Sequence, residues 1–251
     1  MFPISDEHPT VRVPVMTMAL LAVTWAVWLF VQGAGNPVAL ASSVCNLGMV
    51  PGELTHLAPL GFRLPLGGGW FCVIDAEPVN IVTPITSMFL HGSWSHIIGN
   101  SLYLWVFGNN VEDSVGRTRF LVFYLLTGLV AAAAQIAIDP GSPVPTVGAS
   151  GAISGIMGAY LVLFPKIRVR TFIPPFFLFR FPAWAVLLLW FGSQVLTGLP
   201  QLSTLRPEIT GGVAVWAHIG GFLAGALLVR RFVNPELQQQ RAEADARVVW
   251  S

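Results

Sequence analysis

Four side chains in the sequence are suited to acyl-transfer chemistry: Ser150, His218, His96 and Asn100. Ser150 lies in the stretch GASG, and a serine hydroxyl becomes an effective nucleophile when a base takes its proton. The neutral imidazole of His218 is suited to that task near pH 7. His96 and Asn100 are four residues apart, so on a helix they share one face, and both donate N–H groups. These residues predict a nucleophile, its base and a site for an oxyanion.

The composition places these residues in a membrane protein. Of 251 residues, 54% are hydrophobic and 10% charged, whereas soluble domains carry about 25% charge. A helix that spans a bilayer needs roughly 20 mostly apolar residues. We therefore predict an all-α polytopic membrane protein with six transmembrane helices, and its net charge of +1 gives no reason to expect a nucleic acid partner. The six apolar stretches are 13–32, 86–110, 119–138, 149–165, 182–199 and 213–229.

The basic residues predict the orientation of these stretches. With both termini in the cytoplasm, only Arg63 and Arg206 face outward, as the positive-inside rule favours. The expected domains are a cytoplasmic leader 1–12, a membrane domain 13–231 and a cytoplasmic tail 232–251. The tail is expected to be a short solvated helix or disordered. The cationic residues expected inside are Arg12, Arg117, Arg119, Lys166, Arg168, Arg170, Arg180, Arg230, Arg231, Arg241 and Arg247.

This orientation brings the candidate residues to one depth. The second, fourth and sixth stretches all run inward, so His96, Ser150 and His218 lie in the outer half of the membrane. The fourth stretch is short, because Pro140, Pro143 and Pro145 prevent a helix before it. Non-helical backbone at membrane depth must be buried in protein or line a wet cavity. Ser150 is therefore expected at the floor of a pocket that opens outward, at the start of a short, recessed helix.

Glycines on the fourth and sixth stretches predict close contact between them. Small residues four apart allow two helix backbones to approach each other, which would bring Ser150 and His218 into one crevice. The backbone N–H of Ser150 lies in a first helical turn, where it lacks a helical acceptor and favours negative charge. It can therefore join His96 and Asn100 as an oxyanion donor. The glycines concerned are Gly151, Gly155, Gly221 and Gly225.

Other interpretations of the same residues remain open. Asp139 and Glu208 lie in loops, so the sequence supplies no third catalytic member and predicts a dyad. Ser150 alone would suggest helix packing, and His218 alone a histidine bonded to a carbonyl. Zinc ligation by the histidines lacks a carboxylate or an HExxH motif, and we expect neither metal nor cofactor. Five of the nine tryptophans are expected at interfaces or facing lipid, although those on the fifth helix could border a lateral gate: Trp94, Trp105, Trp184, Trp190 and Trp216.

The long outer loop, residues 33–85, contains both cysteines. Cys45 and Cys72 would face an oxidising compartment, where a disulfide is chemically permitted. Spacing alone does not decide between a bridge and two free thiols. His91, five residues before His96, is on another helical face and is expected to hold the loop rather than the substrate.

Taken in order, these motifs resemble the rhomboid intramembrane serine proteases, most closely the six-helix bacterial type. The resemblance covers nearly the whole chain, although GxSG alone is a weak signal. The motifs are DEHPT, HGSWSHIIGN, FGNNVEDSVGRTRF, GASG and AHIGGFLAG.

The resemblance implies a role for each matching residue. Ser150 would be the nucleophile and His218 its base, and His96 and Asn100 would be oxyanion donors beside the Ser150 amide. Gly148 and Gly151 would shape the backbone around the serine. Glu112, Gly116 and Arg117 would be structural. Ser154 departs from family members that place an aromatic residue there, stacked on the catalytic histidine.

The implied activity is hydrolysis of peptide bonds in or near transmembrane segments of other proteins, at small residues. The expected location is a bacterial inner or cell membrane, with the active site open to the outside. The lipid-side entry route would pass between the second and fifth helices. A noncatalytic scaffold that binds transmembrane clients is the alternative, and a polar-solute or proton transporter is disfavoured because only one helix has an irregular entry. The sequence does not give the oligomeric state.

Overall fold

Helices make up most of the protein. The computed structural model describes residues 2–75, 80–175, 177–203 and 214–249. In these ranges the helices are α1 (Val15–Ala26), α2 (Pro37–Leu47), α3 (Pro51–Leu54), α4 (Thr83–Thr86), α5 (Trp94–Val115), α6 (Arg117–Ile138), α7 (Ser150–Leu163), α8 (Ala183–Ser203), α9 (Val215–Phe232) and α10 (Pro235–Val249). The strands are β1 (Phe2–Asp6), β2 (Arg63–Gly67), β3 (Trp70–Val73), β4 (Arg168–Ile173) and β5 (Phe177–Pro182).

The five strands show that the all-α expectation is incomplete. The leader forms β1, which pairs antiparallel with β4, and β4 pairs antiparallel with β5. Val169 and Thr171 are fully buried, so one face of this sheet packs against the bundle. Asp6, on the same face, accepts hydrogen bonds from Tyr160 of α7 and Asn110 of α5. The leader is therefore attached to the end of the bundle opposite Ser150.

The short helix α7 lies in the middle of the bundle. Every residue from Gly151 to Tyr160 is buried, because α5, α6 and α9 all pack around it. Its 14 residues correspond to a length of about 21 Å. Packing of this kind tolerates only small side chains, since a Cβ added to Gly221 of α9 would lie 2.1 Å from the carbonyl oxygen of Gly151.

Glu112 joins α5 to the start of α1. Its carboxylate accepts hydrogen bonds from the backbone N–H groups of Met16 and Thr17, at 2.9 and 2.7 Å, and from the Thr17 hydroxyl. The first turn of a helix has N–H groups without intrahelical acceptors, and a carboxylate there also complements the helix dipole. This contact explains why an acidic residue is buried in α5.

The fifth and second apolar stretches differ in their bounds from the prediction. The second, expected at 86–110, is interrupted: the short helix α4 and a 3-10 turn end at Phe89. The long helix α5 begins at Trp94, where the Ser93 side chain accepts a hydrogen bond from the backbone N–H of His96. A Ser side chain in that position caps a helix. The fifth, expected at 182–199, continues to Ser203.

The described parts of the outer loop, 33–75 and 80–85, are structured. They contain α2, α3 and the β2–β3 hairpin, and a disulfide joins Cys45 of α2 to Cys72 of β3 with Cα atoms 5.3 Å apart. The α2 helix begins at a proline, after Asn36, whose side chain accepts the N–H of Val38. Asn and Pro at these positions are typical of a helix start.

The C-terminal tail packs more closely than expected. Instead of a wholly solvated segment, residues 235–249 form α10, and Arg241 on it is 3% exposed. Arg241 pairs with the buried carboxylate of Asp113, which also binds Arg12. The tail and the segment after β1 are thus both attached to the end of α5.

Two helices in the described residues are long and apolar enough to cross a membrane. They are Arg117–Ile138 and Ala183–Gln201, and 33% and 22% of their apolar windows are buried in the protein. Two apolar helical segments are shorter: Val15–Val31, which includes α1, and Ser150–Leu163, which is α7. The exposed apolar surface of α8 is extensive, and it includes Trp184, Leu188, Leu189, Leu196 and Leu199.

Candidate active site

Ser150 is the first residue of α7, directly after a backbone turn that requires glycine. Gly148 has φ +128°, a conformation that residues with a Cβ rarely adopt. Its N–H donates to the carbonyl of Ser87 at 2.9 Å, which fixes the loop against the turn before α5. The hydroxyl of Ser150 is thereby placed at the N-terminal end of a central, buried helix.

Ser150 and His218 form a hydrogen bond. The Oγ atom of Ser150 lies 2.8 Å from Nε2 of His218 on α9. His218 is 7% exposed, so its ring is held among packed side chains. This is the distance at which an imidazole can take a proton from a hydroxyl.

Gln194 is the site residue that the sequence reasoning missed. Its Oε1 atom lies 2.8 Å from Nδ1 of His218. An amide oxygen only accepts hydrogen bonds, so Nδ1 carries the proton and Nε2 is free to accept from Ser150. A third catalytic member was expected to be acidic, whereas Gln194 is a neutral residue of α8 that lies 24 positions before the histidine.

The ring of His218 also packs against Trp190 of α8. The two ring centroids are 5.7 Å apart, with an interplanar angle of 38°. Trp190 is partly exposed and its ring also packs on Phe222, so its expected position at an interface, facing lipid or bordering a lateral gate stays a prediction. Ser154 does not contact the histidine by a hydrogen bond; its hydroxyl donates to the carbonyl of Ser150. Gln194 and Trp190 together fill the orienting role that Ser154 lacks.

His96 lies against the loop before Ser150. A Cβ on Gly148 would be 2.7 Å from Cε1 and 2.8 Å from Nε2 of His96, so only glycine leaves room for the ring. The N–H of Gly92 donates to Nδ1 of His96 at 3.4 Å. With Nδ1 as an acceptor, Nε2 carries the proton and points its N–H toward the loop at Ser150.

Asn100 and His91 form a second layer behind His96. Nδ2 of Asn100 lies 2.9 Å from Nε2 of His91, and the rings of His91 and His96 meet edge to face at 4.9 Å. The fully buried Gln32 bonds both the N–H and the carbonyl of His91. His91 therefore holds the loop, and one amide proton of Asn100 is engaged with it.

The predicted glycine contacts are present, and the remaining predicted residues lie elsewhere. A Cβ on Gly225 would lie 1.8 Å from the carbonyl oxygen of Gly155, so α7 and α9 touch through their backbones.

Glu112 binds α1, and Arg117 is exposed at the first position of α6, both away from Ser150. Arg206 and Glu208 lie outside the described residues. Within the described ranges no cluster of three or more His, Cys, Asp or Glu side chains could hold a metal ion.

Residues 79–234 match the Rhomboid domain family. The chain belongs to the rhomboid family. It is 27% identical over 220 residues to YdcA of Bacillus subtilis (strain 168), which is assigned by name to the rhomboid proteases, and the match covers 86% of each chain. It is 42% identical over 89 residues to Rhomboid protease GluP of the same organism, covering 36% of this chain and 16% of GluP.

A plant relative is also similar. Rhomboid-like protein 11, chloroplastic, of Arabidopsis thaliana is 29% identical over 150 residues, which is 58% of this chain and half of that protein. The rhomboid chain described here thus spans most of YdcA but only part of GluP and of the plant relative. Two of these three relatives are named as proteases.

Proposed function

We propose that this rhomboid is an intramembrane serine endopeptidase that cleaves peptide bonds in or near transmembrane segments of other proteins. The observation that carries the proposal is the hydrogen-bonded series from Ser150 through His218 to Gln194, with both contacts at 2.8 Å. A nucleophile bonded to a base, which is itself oriented by a third group, is the arrangement that activates a serine.

The first step is acylation of Ser150. As Oγ bonds to the substrate carbonyl carbon, its proton passes to Nε2 of His218 and the carbonyl π electrons move to oxygen. The resulting imidazolium is stabilised by Oε1 of Gln194, because a hydrogen bond to a charged donor is stronger than one to a neutral donor. When the C–N bond breaks, His218 gives its proton to the departing amine.

The negative oxygen formed in this step needs donors. We assign the backbone N–H of Ser150 and the Nε2–H of His96 as two donors to this oxygen, since His96 lies against Gly148. Asn100 is the third, through the amide proton that His91 does not occupy. Donors of this kind each contribute roughly 10²–10³ in kcat when fixed in place.

The second step is hydrolysis of the acyl-enzyme. Water attacks the acyl carbon and loses a proton to His218, the Oγ–C bond breaks, and the carboxylic acid product leaves. His218 returns the proton to Oγ, which restores the Ser150 hydroxyl and the neutral imidazole for the next reaction. This step requires water beside Ser150, and a pocket open to the outside of the membrane would supply it.

The membrane arrangement we propose has six spanning helices: α1, α5, α6, α7, α8 and α9. The exposed apolar surfaces of α6 and α8 would contact lipid. Polar residues at the end of α5 do not oppose this, because Glu112 and Asp113 are bonded within the protein. Both termini would be cytoplasmic, and the disulfide of Cys45 and Cys72 would face the oxidising side.

Transmembrane protein substrates would reach Ser150 from the lipid. The resemblance to the rhomboid proteases implies entry between α5 and α8, and α8 borders the site because Gln194 and Trp190 on it contact His218. A helical substrate must unwind locally before its carbonyl is accessible. Small or helix-breaking residues near the cleaved bond lower that cost.

The test is cleavage of a single-pass test substrate by purified protein in liposomes. Wild type is expected to cleave it, and Ser150→Ala and His218→Ala are each expected to lose cleavage. Ser42→Ala and His56→Asn serve as matched controls, because both residues are exposed and neither takes part in the hydrogen bonds that join Ser150, His218 and Gln194.

Each outcome separates this proposal from a noncatalytic scaffold. A scaffold would bind the substrate equally well with or without the Ser150 hydroxyl, and it would cleave in neither form. Cleavage that persists in Ser150→Ala, with the controls unchanged, would refute the serine mechanism.

A further inference from the structure

The sheet formed by β1, β4 and β5 has two chemically different faces. Residues alternate between the faces of a strand. Val169 and Thr171 point toward the bundle and are fully buried. Arg168 and Arg170 alternate with them and point outward, and the register places Arg180 of β5 directly opposite Arg170.

The outer face concentrates positive charge. Like charges directly opposite each other on neighbouring strands destabilise a sheet, and Arg170 faces Arg180 in this way. Glu7 offsets part of this charge through an ion pair with Arg180 at 3.2 Å. With Lys166 just before β4, the described residues place four cations here against that one exposed carboxylate.

The tip of the β4–β5 hairpin is apolar and aromatic. Phe177 and Phe179 continue the inner face beyond the bundle, and they are 57% and 42% exposed. Their rings stack with an interplanar angle of 26°, and Phe179 stacks in turn on Phe181. A hairpin that carries exposed aromatic rings on one face and arginines on the other is typical of an element at the surface of a membrane, where apolar rings insert and basic groups stay with the headgroups.

The hairpin also connects directly to α8. Strand β5 ends at Pro182 and α8 begins at Ala183, and the range Ala183–Gln201 is long and apolar enough to cross a membrane. Trp184, half-exposed in the first turn of α8, is a residue type enriched at membrane interfaces. If α8 spans the membrane, as proposed above, the hairpin lies at the headgroup level.

We propose that the outer face of this sheet binds the phosphate groups of anionic membrane lipids through Arg168, Arg170 and Arg180, while Phe177 and Phe179, on the other face of the hairpin, insert into the same lipid layer. Guanidinium groups bind phosphate oxygens in a bidentate manner. A phosphate between Arg170 and Arg180 would also compensate their mutual repulsion. The proposal rests on the membrane location proposed above but not on catalysis.

The test measures which lipids stay bound to the full-length protein. Purified protein is mixed with equal amounts of phosphatidylglycerol and phosphatidylcholine in detergent, and native mass spectrometry counts the lipids retained. Wild type is expected to retain phosphatidylglycerol preferentially. Arg170→Gln with Arg180→Gln is expected to reduce that preference by about fivefold for each arginine removed. The preference should also weaken as salt is raised.

Two further variants make the result decisive. Arg230→Gln with Arg231→Gln removes the same charge from the exposed end of α9 and should keep the preference. Arg170→Lys with Arg180→Lys keeps the charge and should retain most of it, which excludes a folding defect at these positions. The proposal is overturned if the Gln pair retains phosphatidylglycerol like wild type, or if the α9 pair loses it equally. Cleavage by the Gln pair would be measured separately, so a failure here leaves the Ser150 mechanism untouched.

Discussion

Replacing Gln194 by leucine removes the acceptor for Nδ1 of His218 while keeping a side chain of similar size. In the structure this acceptor lies 2.8 Å from a ring nitrogen of a histidine that is 7% exposed. Water therefore cannot easily take the place of Oε1. Without the acceptor, the ring can rotate or adopt the tautomer that carries its proton on Nε2, where it no longer accepts from Ser150.

The size of the effect follows from the charge on the histidine. A neutral hydrogen bond contributes about 0.5–1.5 kcal/mol, and one to a charged group about 1.5–3 kcal/mol. Because His218 becomes an imidazolium during acylation, a loss of about 2 kcal/mol applies to the transition state. At 1.36 kcal/mol per factor of ten, this corresponds to a decrease of about 30-fold in kcat.

The assay is the initial rate of cleavage against substrate concentration in detergent. Gln194→Leu should lower kcat with little change in KM, since Gln194 acts through His218 rather than on the substrate. Gln194→Glu, which keeps an acceptor oxygen, should stay within a few-fold of wild type. Thr197→Val, on an exposed position of the same helix, is the control. A kcat for Gln194→Leu within about twofold of wild type would refute the orienting role.

Three other substitutions test the loop before Ser150 and the packing of the helices. Gly148→Ala is expected to reduce cleavage at least tenfold, because φ is +128° there and the new Cβ would lie 2.7 Å from His96. Gly221→Ala should force α9 away from α7 and lower the free energy of unfolding by about 1–3 kcal/mol, measured by thermal unfolding in detergent. Glu112→Gln should weaken three hydrogen bonds to the start of α1 and lower stability by about 1–3 kcal/mol in the same measurement.

Each of these substitutions has a matched control. Gly61→Ala places a Cβ at a positive φ of +79° with no atom within 4 Å, so it should leave cleavage intact. Gly192→Ala meets no atom within 4 Å on α8 and should not lower stability. Glu236→Gln changes the same charge at an exposed position. Wild-type cleavage by Gly148→Ala, or equal stability losses in a variant and its control, would contradict the packing argument.

The sequence could predict the meeting of Ser150 and His218, because two physical rules act on the motifs themselves. Helices that run in the same direction place their starts at one depth, and small residues four apart let α7 and α9 touch. The same glycines, Gly155 and Gly225, are in backbone contact in the structure. The steric fit of Gly148 against His96 was not predicted, since it depends on the distance between a loop and a neighbouring helix.

Two features were missed because their sequence signals have several meanings. Gln194 is a polar residue in an apolar helix, and nothing in its neighbours indicates which way it points until α8 is packed against α9. The strands β4 and β5 contain aromatic and basic residues that also suit an interfacial loop. Strand β1 pairs with β4 across 170 residues of sequence at Phe2 and Phe172, so tertiary packing selects these partners. Long-range pairing of this kind leaves no local pattern.

The measurement that tests the central claim most directly is covalent labelling of Ser150. A fluorophosphonate probe, which reacts with activated serine hydroxyls, would be added to purified wild type, His218→Ala and Gln194→Leu, and the labelled residue identified by peptide mass spectrometry. We expect a label on Ser150 in wild type, none in His218→Ala and slower labelling in Gln194→Leu. Wild-type protein that cleaves its substrate while Ser150 stays unlabelled, or labelling that is equally fast in His218→Ala, would contradict it.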